Sequence, residues 1–118
     1  MAAKDLLGRR GEELAAGFLI TTGYQILGRN WRCDQGEIDI IAVDGTETVF
    51  IEVKTRSSVR FGHPFEAITA QKLARLRRLA AAWCAQHPGE TKQIRIDAIS
   101  VIAPTPGPAQ FEHLARIF

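Results

Sequence analysis

The chain has 118 residues, enough for one domain, and its hydrophobic fraction of 46% and charged fraction of 24% are ordinary for a globular protein. This composition excludes an intrinsically disordered or collagen-like chain, and no apolar run reaches the roughly 18 residues of a membrane-spanning helix. With a net charge of +2 and no apolar secretion signal, we expect one domain over residues 1–118, in the cytoplasm and without a membrane partner.

The first half of the chain predicts one helix followed by three strands. Residues 5–22 carry apolar side chains at helical spacing. Glu12 lies at the edge of the resulting apolar arc, whereas Glu13 points well away from it, so the two glutamates are not equivalent. Residues 24–33 then fit a first strand, and two segments rich in β-branched residues predict strands at 36–43 and 48–56. A hairpin turn at residues 44–45 separates the second strand from the third.

The second half predicts a helix and two further strands. An exposed loop over residues 57–64 leads into a second helix over residues 65–86. Residues 94–102 then predict a fourth strand, and residues 111–114 predict a short fifth one. The order αβββαββ indicates an α/β protein in which helices flank a mixed β-sheet.

The hairpin of the second and third strands carries the most informative polar residues. Asp39 alternates with isoleucines in GEIDII, and Glu52 and Lys54 share one face of VFIEVKTR. If Val43 pairs with Thr48, Asp39 lies directly opposite Glu52. A two-residue loop would leave Glu52 on the diagonal but on the same face, whereas a three-residue loop would scatter the three side chains.

Two carboxylates about 5 Å apart destabilise a hairpin unless a positive charge lies between them. A divalent cation would supply that charge, and oxygen ligands favour Mg²⁺ or Mn²⁺ over zinc. Lys54 could then orient or deprotonate a water bound to that cation. The alternative that spacing leaves open is a salt-bridged patch on a solvated sheet face, in which Lys54 neutralises both acids.

GEID followed by FIEVKTR resembles the PD-(D/E)XK nuclease superfamily, whose acids occupy a strand hairpin in the form D…ExK. A wider set of segments is similar to the uncharacterised bacterial YraN-like family, which itself resembles archaeal Holliday-junction resolvases. Those segments are residues 8–15, 23–32, 36–41, 50–56, 61–62 and 94–101. The resemblance implies a restriction-endonuclease-like fold. It departs from the superfamily pattern in having an isoleucine where the name has proline, which the resolvase-like branch also tolerates.

The resemblance also implies an acidic metal site. By position, Asp39 and Glu52 correspond to the metal-ligating acids, and Lys54 corresponds to the lysine of ExK. Glu12 corresponds to the first-helix glutamate that completes the acidic site in resolvase-like members. The main-chain carbonyl of Val53 is a further candidate ligand for Mg²⁺ or Mn²⁺.

Positive charge is concentrated between positions 53 and 80, where seven basic residues and one acidic residue give a local net charge of +6. Such a segment indicates a polyanionic partner. The candidates for contact with nucleic acid are Arg29, Asn30, Arg32, Arg56, Arg60, Lys72, Arg75 and Arg78. Three alternatives stay open. The arginines of the first strand could pair with Asp34 and Glu37, the basic stripe on the second helix could be a solvated face, and Lys72 could point into the acidic site.

The combined features predict a metal-dependent endonuclease that hydrolyses phosphodiester bonds in DNA. Its substrate would be structured or branched DNA, recognised by shape. The alternative is a nucleic-acid-binding or partner-binding module that keeps the nuclease fold with little or no turnover, because function belongs to sites and not to folds. A small-molecule enzyme or a structural protein is a third alternative. A homodimer is a further expectation, since junction resolvases cut two strands symmetrically.

Overall fold

A computed structural model describes residues 3–58, 60, 62–89, 93–104 and 106–117. The helices are α1 (Ala3–Thr21) and α2 (Ala70–Gln86), with a short 3-10 helix at Pro64–Ala67. The strands are β1 (Gln25–Cys33), β2 (Gly36–Asp44), β3 (Glu47–Arg56), β4 (Gln93–Ile102) and β5 (Gln110–Leu114). In the described part of the chain, neither helix is long and apolar enough to cross a bilayer.

The five strands form one open mixed sheet in the order β1-β2-β3-β4-β5. β3 and β4 are parallel, and the other neighbours are antiparallel. Since α2 lies in the connection between the two parallel strands, it packs across the sheet, as parallel crossovers generally do. The predicted mixed sheet with flanking helices is therefore confirmed.

The second helix begins later than the sequence predicts. A 3-10 helix occupies positions where α2 was expected to start, and it is separated from α2 by Ile68 and Thr69. The Thr69 hydroxyl accepts a hydrogen bond from the Lys72 backbone N–H at 3.1 Å, so it caps the helix and fixes its first turn. Within the expected loop 57–64, Val59 and Phe61 lie outside the described residues.

Two apolar clusters sandwich the sheet, which makes three layers. The cluster under α1 contains buried residues of the helix and of β2, β3 and β4, among them Ala15, Leu19, Ile40, Ile51 and Ile99. The cluster under α2 lies on the opposite face and includes Ile41, Phe50, Leu76, Leu79 and Trp83. Because both faces are covered, the central strands read as almost continuous apolar runs, and polar side chains within them stand out.

A buried ionic network joins β4 to β5 on the α1 side. Arg95, with 5% of its side chain exposed, donates from Nε and NH2 to both carboxylate oxygens of the fully buried Asp97, at 2.9 and 3.0 Å. Arg95 NH2 also donates to the Tyr24 hydroxyl at 2.6 Å. His113 Nε2 on β5 lies 2.7 Å from Asp97 Oδ2. The network thus holds β5 and the segment after α1 onto the sheet.

The close approach of α1 to β3 depends on Gly11. A Cβ at this position would overlap the side chain of Thr55 on β3. We expect Gly11→Ala to push α1 off the sheet and to lower the free energy of unfolding by about 1–3 kcal/mol, measured by urea denaturation. Gly17→Ala is the matched control, because a Cβ there meets nothing within 4 Å and should stabilise the helix by up to about 1 kcal/mol. Equal effects in the two variants would contradict this account.

Candidate active site

The register of the β2–β3 hairpin determines which polar side chains meet. Val43 pairs with Thr48, as the first of the predicted alternatives requires, but the ladder stops at Ile40 and Ile51, so the expected pair of Asp39 with Glu52 is not formed. Asp44 pairs with Glu47, so the ladder extends one pair further than expected and the predicted turn at residues 44–45 is wrong by one position. Gly45 has a φ of 62°, a left-handed conformation of the kind that tight hairpin turns require.

The β2–β3 ladder ends beside Asp39. Its last pair is Ile40 with Ile51, and the next N–H on that edge of β3, from Val53, donates instead to Asp39 Oδ2 at 2.8 Å. The Asp39 carboxylate therefore takes the place of a strand carbonyl. Ile38 and Ile41 both belong to the cluster under α2, so the strict alternation expected around Asp39 is not kept. The two strands part here, which allows carboxylates from α1 and β2 to approach each other.

Three carboxylates gather at this opening. One oxygen from each of Glu12, Glu37 and Asp39 lies within 4.8 Å of the other two. The side-chain amide of Asn30, in the orientation that satisfies its hydrogen bonds, donates to Glu12 Oε1 at 2.7 Å and to Glu37 Oε1 at 2.9 Å. Asn30, which lies on the neighbouring strand β1, thus fixes the position of two of the three carboxylates.

The crowding of acids alters their protonation. Burial, followed by the charges of Glu52, Glu12 and Glu37, raises the pKa of Asp39 to about 8, even though the hydrogen bond from Val53 acts in the opposite direction. Burial and the neighbouring Glu37 also raise the pKa of Glu12. Near neutral pH, the charged form of Asp39 therefore needs a compensating cation.

Two lysines neutralise Glu52, whose side chain is only 7% exposed. Glu52 Oε1 lies 3.1 Å from Lys54 Nζ and 2.7 Å from Lys72 Nζ. Burial and the adjacent Lys72 lower the pKa of Lys54. Burial alone would lower the pKa of Lys72, but its hydrogen bonds to Glu52 and Lys54 raise it overall. Of the alternatives left open for Lys72, the structure has the one in which it points into the acidic site.

The four carboxylates and the two lysines line one cleft of about 360 Å³ between the sheet and α2. Its lining residues are Glu12, Glu37, Asp39, Glu52, Val53, Lys54, Lys72, Arg75, Leu76 and Leu79. The predicted acids and Lys54 therefore face the same space. A second cleft of about 630 Å³ adjoins the first, because Glu12 and Glu37 line both. Arg9, Arg29 and Arg32 lie along this second cleft.

The model of the family described as Uncharacterised protein family UPF0102 matches residues 11–101. The chain belongs to this family. A UPF0102 protein of Arthrobacter sp. (strain FB24) is 56% identical over 117 residues, covering 99% of each chain. Another, from Paenarthrobacter aurescens (strain TC1), is 57% identical and covers 99% of this chain and 97% of the relative. A third, from Frankia casuarinae, is 49% identical over the whole of both chains.

In this UPF0102 member, the two arginines of β1 form ion pairs at the rim of the second cleft. Arg29 NH1 lies 2.8 Å from Glu13 Oε2, and Arg32 Nε lies 2.6 Å from Glu37 Oε2. The alternative that Arg32 pairs with Glu37 is therefore confirmed. Arg29 pairs with Glu13 and not with the two acids considered from the sequence. Both pairs are solvent-exposed, so each contributes little to stability and can be exchanged for phosphate.

The stripe predicted on the second helix is divided in the UPF0102 structure. Lys72 and Arg75 line the acidic cleft, whereas Arg78 lies in a separate groove with Ile94 and Ile96. Residues three apart on a helix are rotated by about 60° from one another, so a row of three winds around the helix. The prediction that these three side chains share one stripe is wrong for Arg78.

The remaining basic candidates lie at the end of β3 and beyond it. Arg56 is half-buried and donates from NH1 to the Thr55 carbonyl at 3.2 Å. Arg60 is exposed, and its backbone N–H lies 3.3 Å from Ser58 Oγ. Neither side chain lines the acidic cleft.

Sequence analysis missed one acidic residue of the site. Glu37 was considered only as an ion-pair partner, yet its carboxylate belongs to the group formed with Glu12 and Asp39. A signal for it was present, because residues two apart on a strand project to the same face. The bridging role of Asn30 had no such signal. It depends on a left-handed backbone conformation, with a φ of 53°, at a position in β1.

Proposed function

We propose that this protein is a Mg²⁺- or Mn²⁺-dependent endonuclease that hydrolyses phosphodiester bonds in structured or branched DNA. We further propose that it belongs to the PD-(D/E)XK superfamily and has a restriction-endonuclease-like fold. One observation carries the proposal: carboxylates from α1, β2 and β3 meet two lysines in a single cleft. In a solvated surface patch, the acids would not be buried and crowded enough to raise the pKa values of Glu12 and Asp39.

The residues present fit a hard divalent cation. Every side-chain donor in the acidic group is a carboxylate oxygen, the ligand type that Mg²⁺ and Mn²⁺ prefer. Asp39 from this group and Glu52, which lines the same cleft, would hold the cation. The Val53 N–H faces Asp39, and because the N–H and C=O of a strand residue point to the same edge, the Val53 carbonyl is a suitable third ligand. When bound, such a cation polarises the phosphate and acidifies the attacking water.

The chain's own residues then orient the reactants. Lys54 Nζ lies beside Glu52, and its lowered pKa suits it to accept or return a proton at that nitrogen. Glu12 supports the site from α1, where Asn30 fixes its carboxylate. Arg29 and Arg32 on the adjoining cleft would contact flanking phosphates, which gives affinity without base readout. Recognition by shape follows from such contacts.

A binding module with the same fold is the second candidate function. It is favoured by the two lysines on Glu52, because they balance its charge and allow the acidic cleft to persist without a cation. Such a module would use the arginines of the adjoining cleft to bind nucleic acid and would not cleave it. A homodimer and a cytoplasmic location stay predictions. Sedimentation analysis, with and without a DNA junction, tests the first of these.

A cleavage assay separates the two functions. Wild-type protein, Lys54→Met and Arg116→Met are incubated with a four-way DNA junction and a linear duplex of matched sequence, with Mg²⁺ or Mn²⁺. Arg116 is a charge-matched control because it pairs with Glu47, away from the cleft. We expect Lys54→Met to lose at least about 100-fold in rate while keeping its affinity for DNA.

Cleavage that persists unchanged in Lys54→Met would contradict the catalytic assignment. If the wild-type protein binds the junction tightly but cuts neither substrate with either metal, the binding module is the function.

A further inference from the structure

The pairing of Glu52 differs from that of the other acids in the cleft. The carboxylates that approach one another are those of Glu12, Glu37 and Asp39, whereas Glu52 is held by Lys54 and Lys72 through the same oxygen, Oε1. A cation shared by Asp39 and Glu52 must therefore compete with an ammonium group that is already in place. The proposed function provides the site on which the following inference rests.

We infer that Lys72 is a built-in counter-ion of Glu52 that competes with the divalent cation and so sets the affinity of the site for that cation. The two lysines are not equivalent in this respect. Lys54 lies two residues from Glu52 on the same strand, so it faces the cleft whatever Glu52 binds. Lys72 comes from the first turn of α2, and its contact with Glu52 at 2.7 Å is the shorter of the two.

The burial of Glu52 explains why its carboxylate is in contact with Lys72. A carboxylate whose side chain is 7% exposed is costly to leave unpaired, so a cation-free protein needs a positive group at this position. The side chain of Lys72 is 29% exposed, and its long stem can swing toward the open part of the cleft when another cation binds Glu52. Lys72 therefore stabilises the empty site and weakens metal binding at the same time.

If Lys72 has this role, its loss should change the affinity for the cation in the opposite direction from the loss of a merely structural residue. Loss of a structural residue would loosen the site and weaken cation binding. Loss of Lys72 removes a competing positive charge next to Glu52, and cation binding should become tighter. The other charged groups that face the cleft, namely Glu12, Glu37, Asp39, Lys54 and Arg75, are unchanged in such a variant.

The test is calorimetric titration with Mn²⁺ alone, in the absence of DNA, at pH 8. Lys72→Met should bind Mn²⁺ with a Kd about tenfold lower than that of the wild-type protein. Lys72→Arg keeps the charge and should bind like the wild-type protein. Arg78→Met, further along the same helix but outside the cleft, is the charge-matched control and should also be unchanged. Lys72→Gln replaces Lys72→Met if the latter fails to fold in a thermal melt.

The outcomes distinguish this inference from the proposed function. If wild-type protein binds Mn²⁺ and Lys72→Met, or Lys72→Gln in its place, binds it equally or more weakly, the inference is overturned and the metal site stands. If neither the wild-type protein nor any variant binds Mn²⁺, the inference and the proposed cofactor fall together. Tighter binding in Lys72→Met that is reversed in Lys72→Arg supports the inference, whether or not the protein cleaves DNA.

Discussion

The Asp39→Asn variant is expected to lose Mn²⁺ binding and DNA cleavage, yet to be more stable than the wild-type protein in metal-free buffer at pH 8. Asparagine keeps a side-chain oxygen that can accept the hydrogen bond from Val53, but it carries no charge. It therefore removes the repulsion that Asp39 experiences from Glu12, Glu37 and Glu52. Loss of function and gain of stability in one substitution would mark Asp39 as a residue retained for binding and not for folding.

The direction of the pH dependence follows from the pKa of Asp39. That pKa rises from its ordinary value of 3.8 to about 8 on folding. Between these values the native protein binds more protons than the unfolded chain, so the free energy of unfolding falls as the pH rises. Through Asp39, the wild-type protein should lose up to about 1.4 kcal/mol for each pH unit within this window, and the variant should not.

Thermal denaturation in a chelating buffer at pH 5.5 and pH 8 measures the effect. The wild-type Tm should fall by several degrees more than that of Asp39→Asn between the two conditions. Mn²⁺ at pH 8 should restore the wild-type Tm and leave that of the variant unchanged. Glu13→Gln is a suitable control, because Glu13 is exposed and lies outside the acidic group. The same pH dependence in all three proteins would contradict the assignment.

Arg95→Met is expected to cause the largest loss of stability, about 3–5 kcal/mol in the free energy of unfolding. The substitution leaves the fully buried Asp97 without its bidentate partner, and it removes the hydrogen bond to Tyr24. The double variant Arg95→Met/Asp97→Leu should recover part of this loss, because an apolar pair can replace a buried ion pair at little cost. Urea denaturation at pH 7 measures both effects, with Arg78→Met as the exposed control.

Through the ionisation of Asp97, the stability that the network contributes also depends on pH. Burial by itself raises the pKa of Asp97, but hydrogen bonds from His113 and Arg95 outweigh it and hold that pKa below its usual range. This contribution to stability is complete above the unfolded-state pKa, about 3.9, and is lost as the pH falls through the lower native pKa. A cost below about 1 kcal/mol for Arg95→Met, or a double variant no more stable than the single one, would contradict the proposed role of the pair.

Local patterns in the sequence determined the strands and the faces that their residues share. Period-two alternation in VFIEVKTR places Glu52 and Lys54 on one face, and both line the cleft. Asp39 lines the same cleft, but the alternation of GEIDII is broken around it, and the β2–β3 ladder ends before it. Helical periodicity separated two adjacent glutamates correctly, since Glu12 lines this cleft and Glu13 is exposed. The placement of Glu52 with Lys54 and the separation of Glu12 from Glu13 hold because they depend on backbone periods of 2 and 3.6 residues, which regular strands and helices obey.

The partners of these residues depended on contacts between distant parts of the chain. Lys72 reaches Glu52 only because α2 packs over β3, and Arg95 meets Tyr24 although 71 residues separate them. Such contacts follow from how each element packs on the sheet, which the whole core determines and no local pattern encodes. The sequence by itself therefore determined three acids of the candidate site, Glu12, Asp39 and Glu52, but not Glu37. Only the tertiary structure decided which positive groups neutralise them, because charge neutralisation acts through space and not along the chain.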